Sequence, residues 1–314
     1  MRLVHVTDLH TDLKKYERAV NYVNSSGADG LIITGDLTDR NSVTYPQAYK
    51  EAVMKAKVKN ASPEVSDLMK QHDFLVGKNV EMKKKGATDE DLEDLIGEFQ
   101  ILESKIEKAL EPIRGEIDKS ALQLFRNYQV SEAQEVDEIL GGAKSTVLAV
   151  LGNHDPYFLP EVMENIHFLD RAGSVELSGL RFAGTPSTYE MVRGIPMNDY
   201  THLGDYVVDG QVSESPEYNR LKGQKIDVLA THTTLLDRLT KDTMRGKKPD
   251  QVMLRILQES GAKLNLGGHF HEPSQGRVSD ILNLNPGDGQ IYDMEIEKVN
   301  GAARVKKLII YGFE

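Results

Sequence analysis

The chain contains 314 residues, enough for two average domains or for one large α/β domain with an insertion. Its formal charge of −11 disfavours a general nucleic-acid binder or a protein of anionic membranes, because both need a basic surface. Cysteine is absent, which excludes disulfides and thiolate nucleophiles and leaves any metal ion to nitrogen and oxygen ligands.

Short apolar runs predict the buried strands of a sheet. In chain order they are Leu3–Thr7, Leu31–Thr34, Val147–Leu151, Val228–Thr231 and Leu264–Leu266. Between the first two runs, apolar residues recur at helical spacing within Asp12–Ser26, which predicts a helix, and Asp12 is its expected cap. The opening is therefore a strand–helix–strand unit with a parallel strand pair.

The last part of the chain also has a helix signal and a change of strand pattern. A helix is predicted over Pro249–Ser260 and ends at Gly261. Beyond it, strands are predicted at Leu282–Leu284, Tyr292–Ile296 and Val305–Tyr311. Glycine-containing turns join these strands, so we expect an antiparallel layer that completes a second sheet.

Residues 45–142 have few strand signals, many lysines and glutamates, and apolar residues at helical spacing. We predict a helical insertion there, with a kink at Pro112, between the two parts of one catalytic domain, 1–44 and 143–314. The insertion is expected to cap the site or to mediate a homodimer, although its apolar stripe favours packing within the segment. No apolar run approaches the ~18 residues of a membrane span, so a soluble, cytoplasmic protein without a membrane partner is expected.

Polar side chains follow each of the five candidate core strands. They are Asp8 and His10, then Asp36, then Asn153 and His154, then His232, then His269 and His271. Ligands of open α/β sheets bind outside the carboxyl ends of the strands, so these residues are expected to converge on one crevice. A lone histidine after a strand is more often structural than a ligand, but five such coincidences predict a site.

These residues form five blocks: Asp8-Leu9-His10, Gly35-Asp36-Leu37-Thr38-Asp39-Arg40, Gly152-Asn153-His154-Asp155, His232, and Gly268-His269-Phe270-His271. The pattern resembles the signature of the calcineurin-like metallophosphoesterase superfamily, with no substitution at a ligand position. The resemblance implies an α/β (α+β) fold, a two-sheet β-sandwich flanked by helices, and it does not extend to the helical insertion. Asn285-Pro286-Gly287 resembles a smaller phosphodiesterase-like branch, in which this turn closes the site from behind.

The resemblance implies a centre of two divalent transition-metal ions. It assigns Asp8, His10 and His271 to the first ion, Asn153, His232 and His269 to the second, and Asp36 to a bridge between them. Imidazole and carboxylate ligands suit manganese, our first expectation, as well as iron, zinc, cobalt or nickel. Two such ions can hold the attacking and leaving oxygens of a phosphoryl displacement.

Three further residues are expected to act on the substrate. By resemblance, His154 is the proton donor to the leaving oxygen, and Asp39 orients its imidazole. Arg40 matches an arginine that grips phosphate in the phosphoprotein-phosphatase branch, although an arginine beside two acids is equally often part of a surface ion pair. His202 is a residue to watch on the substrate side.

The expected function is hydrolysis of small phosphate mono- or diesters by attack of a metal-bridging hydroxide. One alternative is a DNA nuclease of the repair type, which uses the same five blocks but needs a basic surface. A non-catalytic scaffold on the same fold is the weaker alternative, because no ligand position is lost.

Overall fold

The computed structural model describes residues 1–38, 47–55, 63–84, 93–156, 158–186, 207–208, 211–212, 216–235 and 251–313. The predicted residues Asp39, Arg40 and His202 lie outside these ranges. Contacts divide the chain into two compact units. The first is Met1–Asn41 with Gln129–Glu314, and the second is Ser42–Tyr128.

The described part of the first unit contains all the strands, with helices between some of them, and the described part of the second unit contains helices alone. The strands are β1 (Arg2–Val6), β2 (Gly30–Thr34), β3 (Thr146–Val150), β4 (His167–Phe168), β5 (Val175–Leu177), β6 (Leu180–Thr185), β7 (Val207–Val208), β8 (Gln211–Val212), β9 (Val228–Thr233), β10 (Leu264–Gly268), β11 (Ser274–Val278), β12 (Ile281–Asn285), β13 (Gln290–Val299) and β14 (Ala302–Gly312). The helices are α1 (Leu13–Ser26), α2 (47–55), α3 (Pro63–Lys84), α4 (Glu93–Leu110), α5 (Arg114–Leu140), α6 (Pro216–Leu221) and α7 (Gln251–Ser260).

Within the described ranges, twelve of the strands form two six-stranded sheets. The first has the order β14-β13-β1-β2-β3-β4, and the second has the order β11-β12-β10-β9-β6-β5. Strands β1 to β4 are parallel, as are β12, β10, β9 and β6. The carboxyl ends of β1, β2 and β3 therefore share one edge of the first sheet, and those of β9 and β10 share one edge of the second.

The predicted position of the last two strands was wrong. Strand β13 pairs antiparallel with β1, with Leu3 opposite Met294, so β13 and β14 extend the first sheet rather than complete the second. Of the three strands predicted after Ile281, only Leu282–Leu284, within β12, lies in the second sheet, where it runs parallel to β10. Strand length and alternation indicate that a strand exists, but neither indicates which sheet edge it joins.

Apolar side chains alternate along the first-sheet strands and supply two cores. Leu3 and Ile32 face the second sheet and pack with Phe182 and Leu266, whereas Val4 and Ile33 face α1. A third core lies under α6 and α7, against the outer face of the second sheet. The predicted two-sheet sandwich, flanked by helices and carrying a helical insertion, is confirmed.

Two local predictions about helix ends agree with the structure. Asp12 caps α1, because its side chain accepts a hydrogen bond from the backbone N–H of Lys15. A 3-10 turn at Glu111–Ile113, which contains Pro112, separates α4 from α5.

The second unit has its own small apolar clusters. Leu75, Leu95 and Leu102 form one between α3 and α4.

None of the helices within the described ranges has the length and apolar character that a membrane span requires.

Candidate metal centre

Sharp turns follow the strands that carry the predicted ligands. Asp8, His10, Asp36 and His269 all have positive φ angles, at 53°, 46°, 50° and 70°. Such backbone is uncommon for residues with a Cβ and costs on the order of 1–3 kcal/mol for each residue. Four of the seven predicted ligands therefore sit in strained backbone that the surrounding fold has to hold.

Gly35 is required by the turn that leads to Asp36. Its φ is +92°, and a Cβ built on it would lie 2.2 Å from Nδ1 of His232. Both the left-handed backbone and the close approach exclude a side chain at this position. The glycine lets the end of β2 lie directly against His232, near the end of β9.

One group of donors consists of Asp8, His10 and His271, whose candidate ligand atoms all lie within 4.8 Å of one another. The two Nε2 atoms of His10 and His271 are 3.4 Å apart, and Nε2 of His271 is 3.8 Å from Oδ1 of Asp8. The other carboxylate oxygen of Asp8 accepts hydrogen bonds from the Thr7 hydroxyl at 2.7 Å and the backbone N–H of His269 at 2.9 Å. Oδ1 is buried without a hydrogen-bond partner among the described residues.

A second group consists of Asn153, His232 and His269. The side-chain oxygen of Asn153 lies 2.8 Å from Nε2 of His232 and 3.0 Å from Nδ1 of His269. Nδ1 of His232 lies 2.9 Å from the carbonyl oxygen of Thr34, which can only accept, so this nitrogen carries the proton. In the neutral ring the lone pair is then on Nε2 of His232 and faces the side-chain oxygen of Asn153, which is also an acceptor. A cation between these two atoms would stabilise this arrangement.

Burial keeps the His269 ring neutral at physiological pH. Burial, with a smaller contribution from the neighbouring ring of His232, lowers the pKa of His269 to about 4. A neutral imidazole is the form that binds a metal ion. The residues present therefore fit divalent cations of the kind bound by nitrogen and oxygen.

Asp36 lies between the two groups. Its Oδ2 is 3.7 Å from Nε2 of His10, and its Oδ1 is 3.5 Å from Nε2 of His232. Its carboxylate is almost completely buried, and the pKa of Asp36 is raised well above its usual range by burial and by the charges of Asp8 and Asp155. An anionic group at this point contacts both sets of donors.

His154 reaches the same crevice. Its backbone N–H donates a 2.9 Å hydrogen bond to Oδ1 of Asp36, and its half-buried ring lies edge-on to that of His10, with 5.4 Å between the ring centroids. The structure thus brings together all seven predicted ligands and the predicted proton donor.

Asp155 and Thr34 support the centre, and the sequence analysis assigned no role to either. Asp155 is fully buried and accepts hydrogen bonds from the backbone N–H of Gly152 at 2.7 Å and from the backbone N–H and hydroxyl of Thr38 at 2.9 and 3.1 Å. It therefore ties the turn after β3 to the turn after β2. Its place directly after His154 in the motif was a usable signal, whereas Thr34 acts through its backbone carbonyl and gives none.

Comparisons with known proteins show the family to which the chain belongs. The family model for calcineurin-like phosphoesterases matches residues 1–107 and 113–273, so the chain belongs to the calcineurin-like phosphoesterase family. Members of this family are metal-dependent phosphoesterases, and the resemblance predicted from the five blocks is confirmed. The match runs through most of residues 45–142, so the expectation that the resemblance stops at the helical insertion was wrong. No curated protein sequence matches the chain significantly.

Among solved structures, this chain is similar to TT1561 of Thermus thermophilus, with 10% identity, a TM-score of 0.50, and coverage of 100% of this chain and 99% of that one. It is also similar to the calcineurin-like phosphoesterase YfkN from Bacillus subtilis, with 12% identity, a TM-score of 0.42, and coverage of 100% and 90%. A novel archaeal phosphodiesterase shares 14% identity, with a TM-score of 0.39 and coverage of 99% and 100%. At these identities, the comparison with TT1561 shows a shared fold.

Proposed function

We propose that the chain is a dinuclear metal-dependent phosphoesterase that hydrolyses small phosphate mono- or diesters. The observation that carries this proposal is the position of Asp36, whose two carboxylate oxygens face a histidine of each donor group. One ion would be held by Asp8, His10 and His271 and the other by Asn153, His232 and His269, with Asp36 shared. We take manganese as the first candidate metal.

When bound, two such cations acidify water and neutralise charge on the phosphoryl group, so that attack on phosphorus is possible at neutral pH. The chain's own residues would position these cations. Asp8 and Asp36 are buried, so a cation bound between them would compensate carboxylate charge that the surrounding protein leaves uncompensated. Because Nδ1 of His232 carries the proton, the lone pair on Nε2 is available to bind a cation.

His154 is proposed as the group that gives a proton to the leaving oxygen. Its backbone is fixed by Asp36, and its ring lies beside His10 at the same crevice, so it is within the site without belonging to either donor group. Asp39 as its orienting partner and Arg40 as a phosphate ligand remain proposals that rest on the sequence resemblance.

A small substrate is favoured over DNA because the chain carries a net charge of −11. The experiment below distinguishes the proposed enzyme from the two alternatives, which are a repair-type nuclease and a non-catalytic scaffold. The cytoplasmic location predicted from the sequence stays a prediction.

The helical insertion is proposed to mediate a homodimer, with a cap over the site as the other outcome. Phe74 on α3 and Ile101 on α4 are 70% and 61% exposed, which is unusual for large apolar side chains. They line a groove flanked by Lys70, Lys105 and Glu98, whose opposite charges could pair across a two-fold axis. Sedimentation velocity of the chain and of its Phe74→Ser variant tests this: a dimer that the variant loses supports it, and a monomeric parent chain refutes it.

The experiment that tests the function uses the full chain, stripped of metal and reloaded with Mn²⁺. We expect hydrolysis of an aryl phosphodiester, an aryl phosphomonoester, or both, and no hydrolysis in the metal-free chain. A chain that binds two ions per molecule and yet cleaves neither ester would overturn the enzyme proposal. Nicking of single-stranded DNA at physiological salt would favour the nuclease, and an inability to bind metal would favour the scaffold.

A further inference from the structure

The turn after β12 packs against the loop that carries His269 and His271. The side-chain amide of Asn285 donates hydrogen bonds to the carbonyl oxygens of Phe270 at 2.8 Å and Glu272 at 3.3 Å. These are the residues on either side of His271. Asn285 therefore fixes the backbone of this histidine from both sides.

Gly287 brings the turn into close contact with the same residue. Its φ is +66°, and a Cβ built on it would lie 2.5 Å from the carbonyl oxygen of His271. The following backbone N–H, that of Asp288, donates a 3.3 Å hydrogen bond to this carbonyl. The close approach places the side chain of Asp288 next to the His271 ring.

The carboxylate of Asp288 faces the ring nitrogen that points away from the other donors. Oδ2 of Asp288 lies 3.5 Å from Nδ1 of His271, while Nε2 of His271 faces His10 and Asp8. A carboxylate stabilises a proton on the nitrogen that it faces, so Nδ1 would carry the proton and the Nε2 lone pair would face the donor group. No sequence motif marked Asp288.

We propose that Asp288 is a positioning residue that selects the His271 tautomer and orients its ring toward the ion held by Asp8, His10 and His271. This inference rests on the proposed function, because it assumes that an ion binds there. It follows from the geometry of the turn. Hydrogen bonds from Asn285 and from the backbone N–H of Asp288 hold the backbone of residues 270–272. The Asp288 carboxylate then determines which ring nitrogen of His271 carries the proton and how the ring is rotated. Loss of such a partner typically weakens metal affinity by about 10–100-fold.

The test compares Asp288→Ala, Asp288→Asn and the parent chain in Mn²⁺ binding, by titration calorimetry of the metal-free full chain. We expect Asp288→Ala to weaken one of two binding events by about 10–100-fold and to leave the other unchanged. Asp288→Asn should restore much of the loss, because its amide oxygen can still accept from Nδ1. Asp280→Asn is the matched control: it removes an exposed carboxylate from the turn between β11 and β12, where Asp280 pairs with Lys263, and it should change neither event.

A second measurement reads the tautomer without any metal. In the metal-free chain labelled with ¹⁵N-histidine, long-range ¹H–¹⁵N spectra should show His271 protonated on Nδ1, and Asp288→Ala should shift it toward Nε2 protonation. His271→Gln identifies the signal. An Nε2-protonated His271 in the parent chain, or two unchanged binding events in Asp288→Ala, would overturn the inference alone. If the parent chain binds no metal, the proposed function fails, and the spectra still decide whether Asp288 sets the tautomer.

Discussion

Replacement of Asp36 by asparagine should stabilise the metal-free protein while removing its ability to bind metal. In the metal-free state Asp36 is buried beside Asp8 with no cation to compensate the two carboxylates. Asparagine has nearly the same shape, and its oxygen can still accept the hydrogen bond from the backbone N–H of His154. The substitution therefore removes the charge and keeps the structural contact.

The size of the effect follows from the distance between the charges. Candidate ligand oxygens of Asp8 and Asp36 lie within 4.8 Å of each other. At an effective dielectric constant of about 20, two unit charges at that distance repel by about 3 kcal/mol. Domains of 150–250 residues gain about 2–4 °C in Tm per kcal/mol, so an increase on the order of 6–12 °C is expected for Asp36→Asn at a pH where Asp36 is ionised.

The pH dependence has a definite sign. Because the pKa of Asp36 is raised in the folded state, the wild-type chain loses stability as the pH rises above the ordinary aspartate value of 3.8. The advantage of Asp36→Asn should thus be small near this value and grow toward alkaline pH. Thermal unfolding of both chains in EDTA, followed by circular dichroism across this pH range, measures it.

The same unfolding experiment with Mn²⁺ completes the test. The wild-type chain should gain about 2.7 kcal/mol at a metal concentration one hundred times the Kd, and Asp36→Asn should gain much less. Asp155→Asn is the comparison variant, because burial raises the pKa of Asp155 as well, but both of its oxygens accept from N–H groups and an amide must turn its own N–H toward one of them. This clash of donors should make Asp155→Asn less stable than Asp36→Asn by about 1–3 kcal/mol. The reasoning is refuted if Asp36→Asn lowers the metal-free Tm, or if Asp155→Asn raises it as much.

Three further outcomes are expected. His154→Gln should depress turnover by about 10²–10⁴-fold while metal content, measured by mass spectrometry, stays near that of the parent; loss of metal would contradict its role as proton donor. Asp170→Asn should stabilise the chain by about 3 kcal/mol at neutral pH and by almost nothing near pH 4. Burial raises the pKa of Asp170 to about 6, and each pKa unit is worth about 1.4 kcal/mol. Denaturant titrations at both pH values check this, and a gain in stability that does not depend on pH would contradict it. Gly35→Ala should destabilise the chain by more than Gly27→Ala, since both glycines have positive φ but only Gly35 would place a Cβ against a neighbour; equal losses in a denaturant titration would show that the contact with His232 is unimportant.

The sequence predicted the strands that position the site because burial on both faces leaves a strong local signal. The runs at Leu31–Thr34 and Val147–Leu151 fall on β2 and β3, in which almost every residue is buried. Polar residues that directly follow parallel strands must lie at the same edge of the sheet. The sequence could therefore predict that Asp8 and Asp36 lie near each other, although it could not predict the distance between them.

Strand pairing between distant segments and supporting contacts could not be predicted in the same way. The sheet that β13 joins depends on its pairing with β1, almost three hundred positions away, and no local pattern encodes that pairing. Thr34 orients His232 through a backbone carbonyl, which every residue type possesses. Asp288 approaches His271 only because the turn at Gly287 folds against it. Such contacts arise from register and turn geometry rather than from residue type.

The central claim, a dinuclear phosphoesterase centre, is tested most directly by titrating the metal-free chain with Mn²⁺ and measuring hydrolysis of aryl phosphate esters at each addition. We predict a rate that rises to a plateau at two equivalents of metal per chain and that stays at the background level in Asp36→Asn. Full activity before any metal is added, or a plateau that Asp36→Asn also reaches, would contradict the account.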